Sequence, residues 1–337
     1  MKRVKRLFAC LLALTMILGL SATAFADQTT GKVQKPANGG TVTFEKEYKL
    51  VGEGISPAET FEFTIEKAGI ENGGVDAEGQ GTPSVGSVHY NQSTKDAPGE
   101  GATTVGNKKE VTVTLPTYNS VGVYSYTITE TPGETAGVAY DRVPVTMKVT
   151  VIDNNGTLEI AAVSFTKDGK KLADGEAAFT NTYTANKLNI TKTVKGNLGD
   201  KSKYFDFTVT LTGETGKTYT LPATITGGSN GSKKEESVTI SGSTTFTLKH
   251  NDTITIENLP AGVRYKVEET PVDKYTTTST GEVGTMDATA KTAAFTNTKT
   301  GEIDTGVYLD NLPYLLVFAG VLAIAAVFVV RRRRFED

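Results

Sequence analysis

Val42-Thr-Phe44-Glu-Lys46 returns later in the chain as Leu188-Asn-Ile190-Thr-Lys192, Tyr126-Thr-Ile128-Thr-Glu130-Thr-Pro returns as Tyr265-Lys-Val267-Glu-Glu269-Thr-Pro, and Phe179-Thr-Asn181-Thr returns as Phe295-Thr-Asn297-Thr. Apolar and polar residues alternate in each stretch with the period of two that marks a strand buried on one face. Residues two apart share a face, so Lys46, Lys192, Glu130, Glu269, Asn181 and Asn297 follow their apolar neighbours inward. Burying a lone charge costs several kcal/mol. A chain that turns the same three polar residue types inward twice, in the same order, is expected to use them on one another.

Working outward, short alternating runs fill the chain on both sides of these stretches: Phe61-Phe63-Ile65, Val111-Val113-Leu115, Val145 to Ile152 and Leu158 to Phe165, then Phe205-Phe207-Val209, Val238-Ile240, Phe246-Leu248 and Ile254-Ile256. Pro132-Gly133 and Asn155-Gly156 punctuate them as turns, the second a strong hairpin signal. The pattern predicts an all-β protein of sandwich type in two domains, residues 41–184 and 187–299. Thr184-Ala-Asn-Lys187 between them reads as a short linker that leaves little hinge. Gly69 to Lys108, rich in Gly, Ser, Thr, Asn and Pro, reads as a surface insertion, with a partner-binding loop as the rival. Residues 27–40 hold almost nothing apolar and read as a disordered lead.

The termini set the compartment. Lys2, Arg3, Lys5 and Arg6 precede the apolar run Leu7 to Leu20, and Ala24-Phe-Ala26 supplies small residues at a cleavage site, so residues 1–26 read as a signal peptide. The sole cysteine, Cys10, lies inside that signal, so the mature chain is expected to form no disulfide and to hold no metal through thiolate. Residues 312–330 are uncharged and long enough to span a bilayer as a helix, and Arg331 to Arg334 open a basic tail, residues 331–337, that holds this end in the cytoplasm. The body of the chain is thereby placed outside the cell, anchored as a membrane precursor. A formal charge of −3, with no basic stripe, argues against nucleic acid. His89 and His250 stand alone, and no Ser-His-Asp spacing or glycine-rich phosphate loop is present, so an enzyme acting on outside substrates is not indicated, nor is a cofactor or metal.

The repeated triad suggests a specific chemistry. Desolvation lowers the pKa of a lysine and can leave its amine neutral and nucleophilic, while the same burial raises the pKa of a glutamate and keeps it an acid. Such an acid can hydrogen-bond the Asn carboxamide oxygen, polarise the carbon, and shuttle protons while the amine attacks and ammonia leaves. The product is an intramolecular Lys–Asn amide made once per molecule and tying the ends of each domain together. The alternative is two structural Lys–Glu ion pairs beside an Asn.

These motifs resemble the two-domain backbone pilins of Gram-positive bacteria, of the streptococcal isopeptide-linkage type, and the resemblance runs from Lys46 to the tail. It implies immunoglobulin-like domains of CnaB-like or reversed topology, a Lys46–Asn181 bond assisted by Glu130, and a Lys192–Asn297 bond assisted by Glu269. Glu302-Ile303-Asp304-Thr305-Gly306 is similar to a sortase sorting signal cleaved after Thr305, although Glu302 replaces the usual Leu and Asp304 stands where Pro is often found. By the same resemblance Lys171, or its neighbour Lys170, is the candidate amine that joins subunits. The implied function is a structural shaft subunit of a covalent surface pilus, attached to the cell wall. Its implied partners are sortase, identical subunits, peptidoglycan and a tip adhesin. The alternative is a monomeric wall-anchored stalk or adhesin.

Overall fold

The computed structural model describes residues 33–73, 80–92, 105–228, 233–302 and 312–333. The expected signal peptide, residues 303–306 of the expected sorting signal and the end of the basic tail lie outside the described residues.

The chain forms two tandem β-sandwiches that share one strand. In the first, β1 (Thr41–Gly52), β5 (Val105–Thr114) and β3 (Ser84–Val85) lie on one side with the leading half of β11 (Ala177–Lys195) and the short β7 (Val138–Ala139). They pack on a sheet ordered β10 (Lys170–Lys171), β9 (Thr157–Lys167), β8 (Val145–Asn154), β6 (Gly122–Thr131), β2 (Glu59–Glu71) and β4 (Val88–Tyr90). Alternation decides the faces: every second residue of β1 from Val42 to Gly52 is buried. Phe44, Phe63, Phe165 and Phe179 meet edge-on or tilted in the core between the sheets.

The second sandwich repeats the plan. The trailing half of β11 is flanked by β16 (Thr253–Pro260) and β20 (Lys291–Thr298), with β13 (Ala223–Gly227), β14 (Lys233–Val238) and β18 (Thr276–Thr280) extending the sheet outward. Opposite lies the four-stranded sheet β15 (Gly242–Leu248), β12 (Phe205–Thr212), β17 (Arg264–Glu269) and β19 (Val283–Thr285). In both domains the first and last strands pair in parallel, β1 with β11 and β11 with β20.

Three expectations are corrected. Thr184 to Lys187 is no linker. The 19-residue β11 runs straight through it, Ala185 pairing with both Gly52 and Pro260, with a register shift between Asn186 and Leu188. Its polarity misled because the junction buries it: Ala185 and Asn186 lie against both domains. At this crossing Gly52 has φ +90°, and a Cβ there would stand 2.3 Å from the Ala185 carbonyl oxygen, so only glycine lets β1 leave the sheet here. The lead, expected to be disordered to Gly40, is seated from Val33: Gln34 bridges to Val163 and clasps Thr43 through its side chain, and Asn38 brackets Tyr118. Within the expected surface insertion, Tyr90 is fully buried, stacks edge-on against Tyr48 and Phe61, and donates its hydroxyl to the Lys46 carbonyl at 2.7 Å. Val88 and Gln80 of the same segment are buried too, and Gln80 donates to the Ser125 carbonyl at 3.1 Å, so the segment is seated at several points.

After the second domain, among the described residues, comes one helix, α1 (Leu312–Arg333), whose window Tyr314–Arg331 has mean hydropathy 2.4 and is exposed along its length. It is long and apolar enough to cross a membrane.

Candidate crosslinking sites

Register brings the first triad together. In the parallel ladder Lys46 stands opposite Phe179 and Tyr48 opposite Asn181, so the lysine and asparagine lie one inward-facing step apart on adjacent strands. Glu130 reaches them from β6 on the facing sheet. All three residues are buried. Glu130 Oε2 lies 3.2 Å from Lys46 Nζ, and its Oε1 accepts a hydrogen bond from Asn181 Nδ2. The amine also donates to the Glu47 carbonyl at 3.1 Å and sits 4.3 Å from the centroid of the Phe61 ring.

The second triad has the same offset. Lys192 stands opposite Phe295 and Val194 opposite Asn297. Lys192 Nζ is 2.5 Å from Glu269 Oε2, Glu269 Oε1 accepts from Asn297 Nδ2, and the amine lies 4.0 Å from the centroid of Phe205. The Phe-Thr-Asn motif thus fixes the geometry twice: its Phe faces the lysine across the ladder, and its Asn falls two residues on, within reach of the carboxyl.

Two aromatics at these sites escaped the sequence reading, although their signal repeats. Phe61-Glu-Phe63-Thr-Ile65 and Phe205-Asp-Phe207-Thr-Val209 open the second strand of each domain, and the leading Phe of each pair forms a wall against which the lysine amine rests. Such a wall does two opposing things. Its face attracts an ammonium, while its bulk excludes the water that would stabilise one.

Burial dominates the electrostatics. It pulls Lys46 down from 10.5 to about 8, against the opposing pull of Glu130. Burial also pushes Glu130 above the ordinary carboxylate range, outweighing Lys46 and the Asn181 hydrogen bond. Lys192 is likewise lowered by burial, with Glu269 opposing. Moving one proton from amine to carboxylate neutralises both partners, and a dry pocket favours that exchange.

The arrangement can pass protons from nucleophile to leaving group. One carboxyl oxygen faces the amine that would attack, and the other faces the carboxamide nitrogen that would depart as ammonia. The expected hydrogen bond from the acid to the carboxamide oxygen is not what the structure holds: Glu130 contacts the nitrogen. The oxygen, Asn181 Oδ1, accepts instead from the backbone N–H of Asp141 at 2.8 Å.

Lys170 and Lys171 form β10 at the edge of the six-stranded sheet, after a turn in which Asp168 has φ +50°. Lys170 is exposed and Lys171 half-buried. Of the expected sorting signal only Glu302 is described, and it is exposed.

Residues 33–184 match the family model described as a Spy0128-like isopeptide containing domain, and residues 186–299 match one described as a domain of unknown function. Among curated proteins, a chain named "Pilin" from Streptococcus pyogenes serotype M1 is 30% identical over 349 residues, covering 94% of this chain and 98% of that one. A "Pilus tip adhesin Cpa" from Streptococcus pyogenes is 32% identical over 96 residues, 28% of this chain and 13% of the adhesin. Among solved structures, the major pilin from Streptococcus pyogenes is 27% identical, with TM-score 0.49, over 78% of this chain and 100% of that one.

Proposed function

We propose, from the premise that this chain belongs to the pilin family and is a pilus subunit, that it is a shaft element whose two sandwiches each close by a self-made amide, Lys46 to Asn181 and Lys192 to Asn297. The observation that carries the reading is the doubled geometry. Twice, one buried carboxyl touches a desolvated lysine and an asparagine carboxamide at the same ladder offset. Nothing in sandwich architecture requires that arrangement, and a purely structural ion pair has no use for the asparagine. Glu130 and Glu269 act as proton shuttles, each serving one turnover, so the chain is a substrate of its own fold rather than an enzyme for others.

The remaining steps of assembly follow from the ends of the chain. The exported precursor is held in the membrane by α1, and a sortase cleaves after Thr305 and passes the new carboxyl to Lys171 or Lys170 of an identical subunit. The finished filament is joined to peptidoglycan and presents a tip adhesin.

The test is intact mass of the ectodomain. It is expected to fall short of the sequence mass by two ammonia molecules, and Glu130→Ala is expected to restore one. An ectodomain at full sequence mass would overturn the crosslinks while leaving pilus membership intact.

A further inference from the structure

The geometry points to the backbone N–H of Asp141 as the oxyanion donor for the first crosslink, a group with no counterpart among the described residues of the second domain, so that Lys46–Asn181 forms faster than Lys192–Asn297. This inference rests on the crosslinking reading above.

The donor is held in place from several sides. Asp141 follows β7, which pairs with β11 only through Ala139–Thr182 and Val138–Tyr183 before the chain peels away. Leaving the ladder frees the next amides from strand partners and lets the Asp141 N–H turn to Asn181 Oδ1. The Asp141 carboxylate locks this placement: it accepts from the Thr180 amide at 3.0 Å, from the Val143 amide at 3.1 Å and from Lys167 Nζ at 2.6 Å. Burial pushes this carboxyl up, yet those three donors outweigh it and hold it below its ordinary range. Asp141 is therefore a charged clamp whose side chain grips β11 while its main chain points at the reacting carbonyl.

The second domain solves the same strand pairing differently. By register, Thr277 stands opposite Asn297 as Tyr140 would stand opposite Asn181, and Thr278 takes the place of Asp141. Here the ladder does not end. β18 stays paired with β20 from Thr276 to Thr280, and Thr278 stands opposite Thr296 instead of peeling away. Among the described residues, Asn297 Oδ1 is buried without a hydrogen-bond partner.

The chemistry explains why this asymmetry matters. Neutral Lys46 Nζ attacks Asn181 Cγ, forming the new C–N bond and placing negative charge on Oδ1. Glu130 takes the proton from Nζ through one oxygen and delivers a proton to Nδ2 through the other. The Cγ–Nδ2 bond then breaks and ammonia leaves, so the sum is amine plus carboxamide giving amide plus ammonia. The charge on Oδ1 is the one part of this sequence that the carboxyl does not serve. A fixed N–H aimed at it in a dry site is worth about a hundredfold or more in rate.

The experiment is pulsed cell-free synthesis of the ectodomain, quenched over time, digested, and scored for the Lys46–Asn181 and Lys192–Asn297 linked peptides in the same sample. The native chain is expected to complete the first link ahead of the second. Replacing the Tyr140–Asp141 peptide bond by an ester, through the α-hydroxy analogue of Asp at position 141, removes the N–H and keeps the side chain. It is expected to slow the first link about a hundredfold while the second link is unmoved. Asp141→Ala keeps the N–H and loses the clamp, and is expected to slow the first link less than the ester does. Equal rates for the two links in the native chain, an ester that leaves the first rate unchanged, or an alanine variant as slow as the ester would each overturn the assignment. If the native chain yields neither linked peptide, the crosslinking reading itself fails, a result distinct from all of these.

Discussion

Lys46→Met isolates the worth of the first closure. Methionine matches the lysine stem in length and can lie against the Phe61 ring that the amine faces, so repacking alone is expected to cost less than about 1.5 kcal/mol. It also leaves no unlinked amine in the core, and Glu130, whose pKa burial already raises, remains as a neutral acid hydrogen-bonded to Asn181. What is lost is the link. Lys46 and Asn181 bracket about 135 residues, and closing a loop of that size removes roughly 5 kcal/mol of denatured-state entropy by the relation used for disulfides. For a domain of about 150 residues, 1 kcal/mol moves Tm by roughly 2–4 °C, so the first-domain transition is expected to fall by about 10–20 °C. Differential scanning calorimetry of the native and Lys46→Met ectodomains measures it, with intact mass reporting one ammonia lost instead of two. A first-domain transition within about 3 °C of the native one, allowing for repacking, would refute the argument that covalent closure holds this sandwich together.

Other outcomes follow from the same geometry. In Asn181→Ala, Lys46 stays unlinked with a folded pKa of about 8 against 10.5 unfolded; the unfolded chain then binds more protons between those values, so stability is expected to rise from pH 8 to pH 10.5 by at most about 3 kcal/mol. Urea midpoints across that range test it, and a profile as flat as that of Lys46→Met would contradict it. Asn258, whose Oδ1 accepts from the Ile55 amide at 3.0 Å and whose Nδ2 donates to the Pro222 carbonyl, ties the first domain to the second. Asn258→Ala should cost about 1–3 kcal/mol and increase amide exchange at Ile55, since it strands a backbone donor; native-like exchange there would show the tie to be idle. Thr305→Ala is expected to abolish detergent-resistant ladders in cell-wall extracts, and Lys171→Arg with Lys170→Arg to reduce the product to monomer; ladders persisting in either variant would exclude that residue's assigned step.

Much of this architecture was legible because a strand's period of two is strict. The inward placement of Lys46, Glu130 and Asn181 follows from their apolar neighbours at two-residue spacing, and the repeat of all three in one order distinguished a site from an accident. The continuity of β11 was hidden for the opposite reason. Thr184-Ala-Asn-Lys187 carries no alternation of its own, since what buries it is the neighbouring domain. Tyr90 could not be placed either, because a lone aromatic in a Gly- and Ser-rich stretch gives no periodic signal. The Phe61 and Phe205 walls were written in the sequence as a repeat but looked like ordinary core. Asp141 left no trace of its role, because the group aimed at Asn181 is a backbone amide, which every residue but proline carries.

The sharing of β11 has a consequence for survival among secreted proteases. Asn181 and Lys192 stand on the same strand, so with both links in place the shortest bonded path enters at Lys46, crosses to Asn181, follows β11 to Lys192 and leaves through Asn297. Hydrolysis of any single peptide bond between Lys46 and Asn181, or between Lys192 and Asn297, nicks a loop and severs nothing. Between Lys46 and Asn297, the stretch from Asn181 to Lys192 is the part with no second covalent path, and it lies in the middle of the shared sheet, hydrogen-bonded to β1, β7, β16 and β20, where no protease cleft can draw it out.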